Sequence, residues 1–308
     1  MHGGSLASGH GLIALVDGRA TVEVAPAAGG SIASFYWSVG DTRYDWLRPA
    51  APEAVVRADA GAMGCFPLVP YSNRIRDGRF AFSGRTIELP STPDLDPHFE
   101  HGHGWRQPWS VAEMTSRSLV LTMAHMPDAW PWHYEARQDI AVTRDGALHV
   151  NLGVTNLDET PMPVGLGLHP YFPKTPATQL TASVNGVWAV DADVLPTELV
   201  TPHGKSDPRL GMPVSAVDLD NVFTEWSGTA DVIWPERHAR LRLAADGPLA
   251  FLVVYTPAAE PYFCAEPVSN ATDAFNLAAA GRDDTGMAVL SPGQSLYSTV
   301  RFTPELLA

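Results

Sequence analysis

His169 stands in a setting suited to an acid or base, and Glu266 in one that needs a functional or structural reason. His169 lies in Gly165-Leu166-Gly167-Leu168-His169-Pro170-Tyr171-Phe172-Pro173, where an apolar, strand-like run meets two prolines. Gly165 and Gly167 remove side chains just before it, so a ligand or another backbone can approach closely. Pro170 and Pro173 stiffen the chain beyond the histidine, and Pro170 is read as the bend that aims the imidazole. Glu266 ends a short apolar strand, Phe263-Cys264-Ala265-Glu266-Pro267. A carboxylate there is costly to desolvate unless paired, so it serves either chemistry or a buried salt bridge.

Three further places offer polar groups to a ligand. Asn73-Arg74 ends an irregular Gly- and Pro-rich loop and presents amide and guanidinium donors to hydroxyl or carboxylate oxygens. The structural alternative is an Arg74–carboxylate pair and an Asn73 turn cap. His101-Gly102-His103-Gly104-Trp105-Arg106-Gln107-Pro108-Trp109 carries a His-x-His pair, which on a strand would point both rings to one face. A metal site of the cupin kind would need a glutamate shortly after it, and Gln107 and Pro108 stand there instead. An imidazole bonded to a polar ligand, beside an indole wall from Trp105 or Trp109, fits these residues better. Asp220, in Leu219-Asp220-Asn221-Val222-Phe223, sets a carboxylate beside an apolar anchor; its bland role is a turn or cap.

The bulk of the chain limits what such groups can act on. Its 308 residues are 45% hydrophobic and 18% charged, with 27 prolines and 26 glycines spread throughout, as expected of many short strands joined by turns. The net charge of −14 opposes nucleic acid and anionic membrane surfaces and favours neutral ligands. Cys65 and Cys264 lack zinc-type or redox-type spacing and are expected to be reduced. The first twenty residues lack a basic segment followed by an apolar core, and no apolar run is long enough for a bilayer. A cytoplasmic location is therefore expected, and a homodimer is compatible with such a chain.

The elements that must position these residues read mainly as strands. Leu12 to Trp37 reads as strand, turn and two strands at the edge of a large antiparallel sheet. His133 to Thr143 and Ala147 to Thr155 form the clearest hairpin, turning at Asp145-Gly146. Gln179 to Val190 reads as two short strands around Asn185-Gly186, Asp191 to Asp220 as loop, and Asn270 to Ala280 as a short helix. No linker divides the chain. The pattern predicts one all-β domain, a large antiparallel β-sandwich with few short helices.

Four stretches, in order, resemble the aldose 1-epimerase (galactose mutarotase-like) family: Asn73-Arg74-Ile75 with Gly78, His101-Gly102, His169-Pro170-Tyr171-Phe172, and Glu266-Pro267 followed by Asn276. With Asp220, the likeness runs from roughly residue 20 to the end. It implies a single β-supersandwich domain over 1–308 that interconverts the α and β anomers of free sugars without cofactor or metal. It places the general base on Glu266 and the general acid on His169, with sugar contacts from Arg74, His101 and Asp220 and with Asn73 beside the first. His103 competes with His101; His101 is preferred because Gly102 and Trp109 keep the family spacing. The chain departs from galactose mutarotases after His101, where they continue His-Gly-Gly, so neither galactose nor glucose is implied as the preferred sugar.

On this reading Gly165 and Gly167 clear space for a pyranose, and the acid and base reach the sugar from opposite sides. A Glu266 anion would favour His169 as imidazolium. Two other functions share these residues. A hexose-6-phosphate mutarotase would need a basic clamp, for which Arg76, Arg79, Arg85 and Arg106 are available. A non-catalytic carbohydrate-binding protein would bind sugar without exchanging its anomers.

Overall fold

The computed structural model describes residues 7–8, 11–90 and 97–307. Residues 1–6, 9 and 10 of the N-terminal stretch read for a leader, and the polar run at 91–96 ahead of His101, lie outside them. Among the described residues, the strands form a twelve-stranded and a nine-stranded antiparallel sheet, with two further two-stranded ones. Phe172, Phe263 and Phe223 of the first and Val150, Leu241 and Phe302 of the second share one buried core. Phe172 meets Phe263 and Phe302 at ring-centroid distances of 5.5 and 6.5 Å.

Several strands agree with the sequence reading. The predicted hairpin is Tyr134–Val142 paired with Leu148–Asn156. The N-terminal strands form the expected edge of the larger sheet, in the order Leu12–Asp17, Ala20–Ala25, Ser31–Val39. Asn270 to Ala280 contains the helix Ala274–Ala279, and a second short helix spans Pro52–Val56.

Other expectations are corrected. The two short strands expected over Gln179 to Val190 are present as Gln179–Ala182 and Gly186–Val190, but they join different sheets and pair with Thr229–Trp234 and Asp220–Thr224 respectively. The supposed loop before Asp220 holds the strand Pro196–Val200, and Asp220 itself opens a strand paired with Phe251–Tyr255. Pro170 does not bend the chain. The strand runs on from Gly167 to Pro173, since proline costs only a backbone donor where its φ suits the strand.

Five neighbouring strands of the larger sheet position His169, Glu266 and Asp220: Cys65–Leu68, Gly167–Pro173, Tyr262–Val268, Phe251–Tyr255 and Asp220–Thr224, in that spatial order. Side chains alternate between faces along each. Leu168, Phe172, Phe263, Ala265, Leu252 and Val254 enter the core between the sheets. His169, Tyr171, Glu266, Val253 and Tyr255 face the other way and line a pocket.

Candidate active site

The pocket has a volume of about 290 Å³ and its floor is two rows of cross-strand neighbours. The register pairing Gly167 with Val268 and Tyr171 with Cys264 sets His169 directly opposite Glu266. The same row extends to Phe66 on one side and Val253 on the other. The next row is Tyr171, Cys264, Tyr255 and Asp220. Residues nearly a hundred positions apart therefore meet through antiparallel pairing alone, at the spacing of facing side chains.

His169 Nε2 lies 3.2 Å from Glu266 Oε1. This corrects the expectation that the two groups face each other across a sugar, because no ring fits between them. Both residues are buried, at 7% and 2% exposure. Burial first, then the charges of Asp220 and Glu100, pushes the Glu266 carboxyl well above its usual range, while Arg74 pulls the other way. Burial first, then His101, holds the His169 imidazole well below its usual value. The expected imidazolium–carboxylate pair is corrected too: desolvation penalises both charges, and the favoured form is a neutral couple sharing one proton. Glu266 Oε2 and His169 Nδ1 have no hydrogen-bond partner among the described residues.

Gly165 and Gly167 do not open space for a sugar. A Cβ on Gly165 would fall 1.9 Å from Asn270 Oδ1, and one on Gly167 would meet Val268 Cγ1 at 2.7 Å and the Pro267 carbonyl at 2.9 Å. The first glycine admits a side chain; the second lets two strands close. Asn270 then clamps the loop before Arg74. Its Oδ1 accepts from the Ser72 N–H at 3.1 Å and its Nδ2 donates to the Ser72 carbonyl at 3.0 Å. Asp273 adds to the grip, accepting from the Arg76 N–H at 3.0 Å and donating its own N–H to the Arg74 carbonyl at 2.8 Å. Asn276 Nδ2 in turn donates to Asp273 Oδ1.

A short antiparallel ladder presents the remaining polar groups. The Ile75 N–H donates to the Phe99 carbonyl and the His101 N–H to the Asn73 carbonyl, with Arg74 bridged to Glu100 between them. His101 has a positive φ of 62°, and so does Gly102 at 64°, where a Cβ would strike the Val69 carbonyl at 2.6 Å. The chain therefore turns here instead of running as a strand, and the two histidines part. His101 Nδ1 accepts from the Asn73 N–H at 3.0 Å. Burial, then Arg74 and Arg106, pushes this imidazole down to about 3, so the ring is neutral and its proton sits on Nε2. His101 lines the pocket, and His103 does not.

His103 instead stacks on His125 at 4.4 Å and approaches the Tyr134 hydroxyl at 3.3 Å. His103, His125 and Asp128 bring ligating atoms within 4.8 Å of one another. The two rings are only 14° from parallel, so their in-plane lone pairs do not converge on one ion. His169, Cys264 and Glu266 form a second such group. There burial pushes the Cys264 thiol well above its usual value. Cys65 and Cys264 are free and buried, as expected.

Arg74, Asn73 and Asp220 all line the pocket, so every sequence-selected site residue is brought together. Arg74 also realises its structural alternative, with Nη1 3.3 Å from Asp220 Oδ2 and Nε 3.7 Å from Glu100 Oε2. Trp105 lines the pocket and stacks on Phe66 at 5.0 Å, whereas Trp109 is core and donates Nε1–H to the Gly104 carbonyl. Sequence reasoning missed Glu100, Tyr255 and Tyr262. Alternation with Glu266 pointed to Tyr262, adjacency to His101 pointed to Glu100, and nothing local marked Tyr255. None of Arg76, Arg79, Arg85 and Arg106 lines the pocket. Arg76 pairs with Asp273 and Arg79 with Glu88.

The family model for aldose 1-epimerase matches residues 11–303. The chain belongs to the aldose 1-epimerase family. It is 32% identical over 269 residues to YphB of Escherichia coli K12, an uncharacterized protein, covering 85% of this chain and 89% of that one. A crystal structure from Escherichia coli K12 superposes with a TM-score of 0.86 at 29% identity, covering 96% and 99% of the two chains. A galactose mutarotase-like protein from Clostridium acetobutylicum shares the fold at a TM-score of 0.86 and 18% identity, covering 96% of this chain and 95% of that one. Among the described residues no helix is long and apolar enough to cross a membrane.

Proposed function

We propose that this family member is an isomerase that interconverts the α and β anomers of a free aldose by acid–base ring opening and closure. The observation that carries the reading is the His169–Glu266 contact of 3.2 Å on the pocket floor. The anomeric hydroxyl and the ring oxygen are bonded to the same carbon, so two adjacent groups reach both atoms.

In the family's assignment, Glu266 takes the proton of the C1 hydroxyl while His169 protonates the ring oxygen, and the C1–O5 bond breaks to give the open aldehyde. Rotation about C1–C2 presents the other carbonyl face. The C5 hydroxyl then re-adds to C1, His169 recovers its proton and Glu266 returns its proton to O1. Burial favours the resting proton on Glu266, so it must first pass to His169, a transfer between neighbours that changes no net charge. Each assisted proton transfer contributes about 10²–10⁴-fold. Neutral His101 offers Nε2–H to a sugar hydroxyl, Arg74 and Asp220 offer donors and acceptors, and Trp105 supplies an apolar wall.

A sugar phosphate is disfavoured as substrate, because among the described residues Arg74 is the only arginine or lysine lining the pocket, and carboxylates already engage it. The test is polarimetry on freshly dissolved sugar. Glu266→Gln and His169→Asn should each lose most activity while remaining folded. Near-wild-type mutarotation in either variant refutes the assignment, and binding without anomer exchange by the wild type would make the protein a carbohydrate binder.

A further inference from the structure

The ladder that pairs the Asn73–Ile75 and Phe99–His101 segments sets Glu100 directly across from Arg74. Glu100 Oε2 lies 3.7 Å from Arg74 Nε and 3.7 Å from His101 Nε2. Asp220 holds the other edge of the same guanidinium, 3.3 Å from Nη1. All four side chains line the pocket. The only guanidinium lining the pocket among the described residues is thus engaged by two carboxylates of the protein itself. Arg48 and Arg106 are near but do not line the pocket. Arg48 Nη2 donates to the Gly61 and Met63 carbonyls, with its guanidinium over Tyr171; Arg106 lies over the Trp105 and Phe99 rings.

We propose that Glu100 determines substrate charge in this pocket, acting as an internal competitor that occupies Arg74 and so excludes anionic sugars in favour of neutral aldoses. An incoming carboxylate or phosphate must compete with Glu100 and Asp220 for Arg74, and it meets both as like charges. A neutral hydroxyl meets no such penalty. It can accept from Arg74 or His101 and donate to either carboxylate without any charge leaving its partner. The assignment rests on the sugar-binding reading of the pocket but not on its catalysis.

The experiment measures dissociation constants by calorimetry for glucose and for glucuronate, which differ mainly in a CH₂OH against a carboxylate. Wild type should favour glucose by about tenfold or more, the weight of one charge-assisted contact and its repulsions. Glu100→Gln keeps the shape and removes the charge, so it should narrow the ratio by about tenfold, chiefly by strengthening glucuronate. In a background of Arg74→Ala, the same substitution should no longer bring that gain, because there is no guanidinium to release. A wild type that binds glucuronate as well as glucose overturns the proposal, and so does a ratio that Glu100→Gln leaves unchanged. Charge selection that responds to Glu100→Gln in a protein without anomer exchange would sink the proposed isomerisation and leave this assignment standing.

Discussion

Asn270 provides the most direct test of how the fold presents Arg74. Replacing it by Ala removes the acceptor of the Ser72 N–H and the donor to the Ser72 carbonyl, both at a residue only 1% exposed. An orphaned buried polar group costs about 1–3 kcal/mol, so two give a loss near ~3 kcal/mol after partial relaxation. Unfolding entropy of about 2.1 cal/mol/K per residue, over 308 residues, is roughly 0.65 kcal/mol/K, which converts that loss to about 5 °C in Tm. The kinetic signature should be a raised KM with kcat largely kept, because the clamp holds the Arg74 loop while His169 and Glu266 sit on sheet strands. Gly165→Ala should give the same phenotype by a different route, since its Cβ would land 1.9 Å from Asn270 Oδ1. Combined, the two should be less than additive, as the Ala at position 270 vacates the space the new methyl needs. Calorimetric melting and anomer-exchange kinetics check all three variants. A Tm within about 1 °C of wild type refutes the clamp's energetic role, and a lowered Tm with unchanged KM refutes its role in positioning Arg74.

Arg74→Ala and His101→Ala should mainly raise KM, because positioning groups bind ground and transition states alike; unchanged binding and turnover in both would mean the pocket is misplaced. The pH dependence is set by the buried couple. The active form holds one proton, and adding a second is opposed by the burial that keeps His169 below its usual value. The acid limb of kcat/KM should therefore lie below pH 6.5, and a fall centred at or above 6.5 would contradict the neutral pair. Stability should respond in the opposite sense at Glu266. Its folded pKa is raised above the ordinary value of 4.5, so its contribution is present at low pH and lost as pH rises through the raised value. Glu266→Gln has no such loss, and its Tm advantage over wild type should grow with pH from about 4.5 upward; a constant difference across that range argues against a raised carboxyl.

Much of this molecule was legible in one dimension. Alternation and turn residues locate the strands because a half-buried strand must repeat every two residues. Asn73-Arg74, His101-Gly102, His169-Pro170-Tyr171-Phe172 and Glu266-Pro267 could be singled out because polar groups in apolar or glycine-bound settings need a reason to be there. Those residues supply the chemical types, while the roles of an acid–base couple and of hydroxyl-binding groups are what the family resemblance implies. What remained hidden was distance. The contact of His169 with Glu266 depends on the register of two strands remote in sequence, and a slip of one residue would send either side chain into the core. Space was hidden as well: Gly165 reads like room for a ligand, but Asn270, more than a hundred residues later, fills it. Charge state was the third thing only the tertiary structure decided. In sequence a carboxylate beside a histidine suggests an ion pair, whereas burial of both on the pocket floor favours a neutral couple sharing one proton.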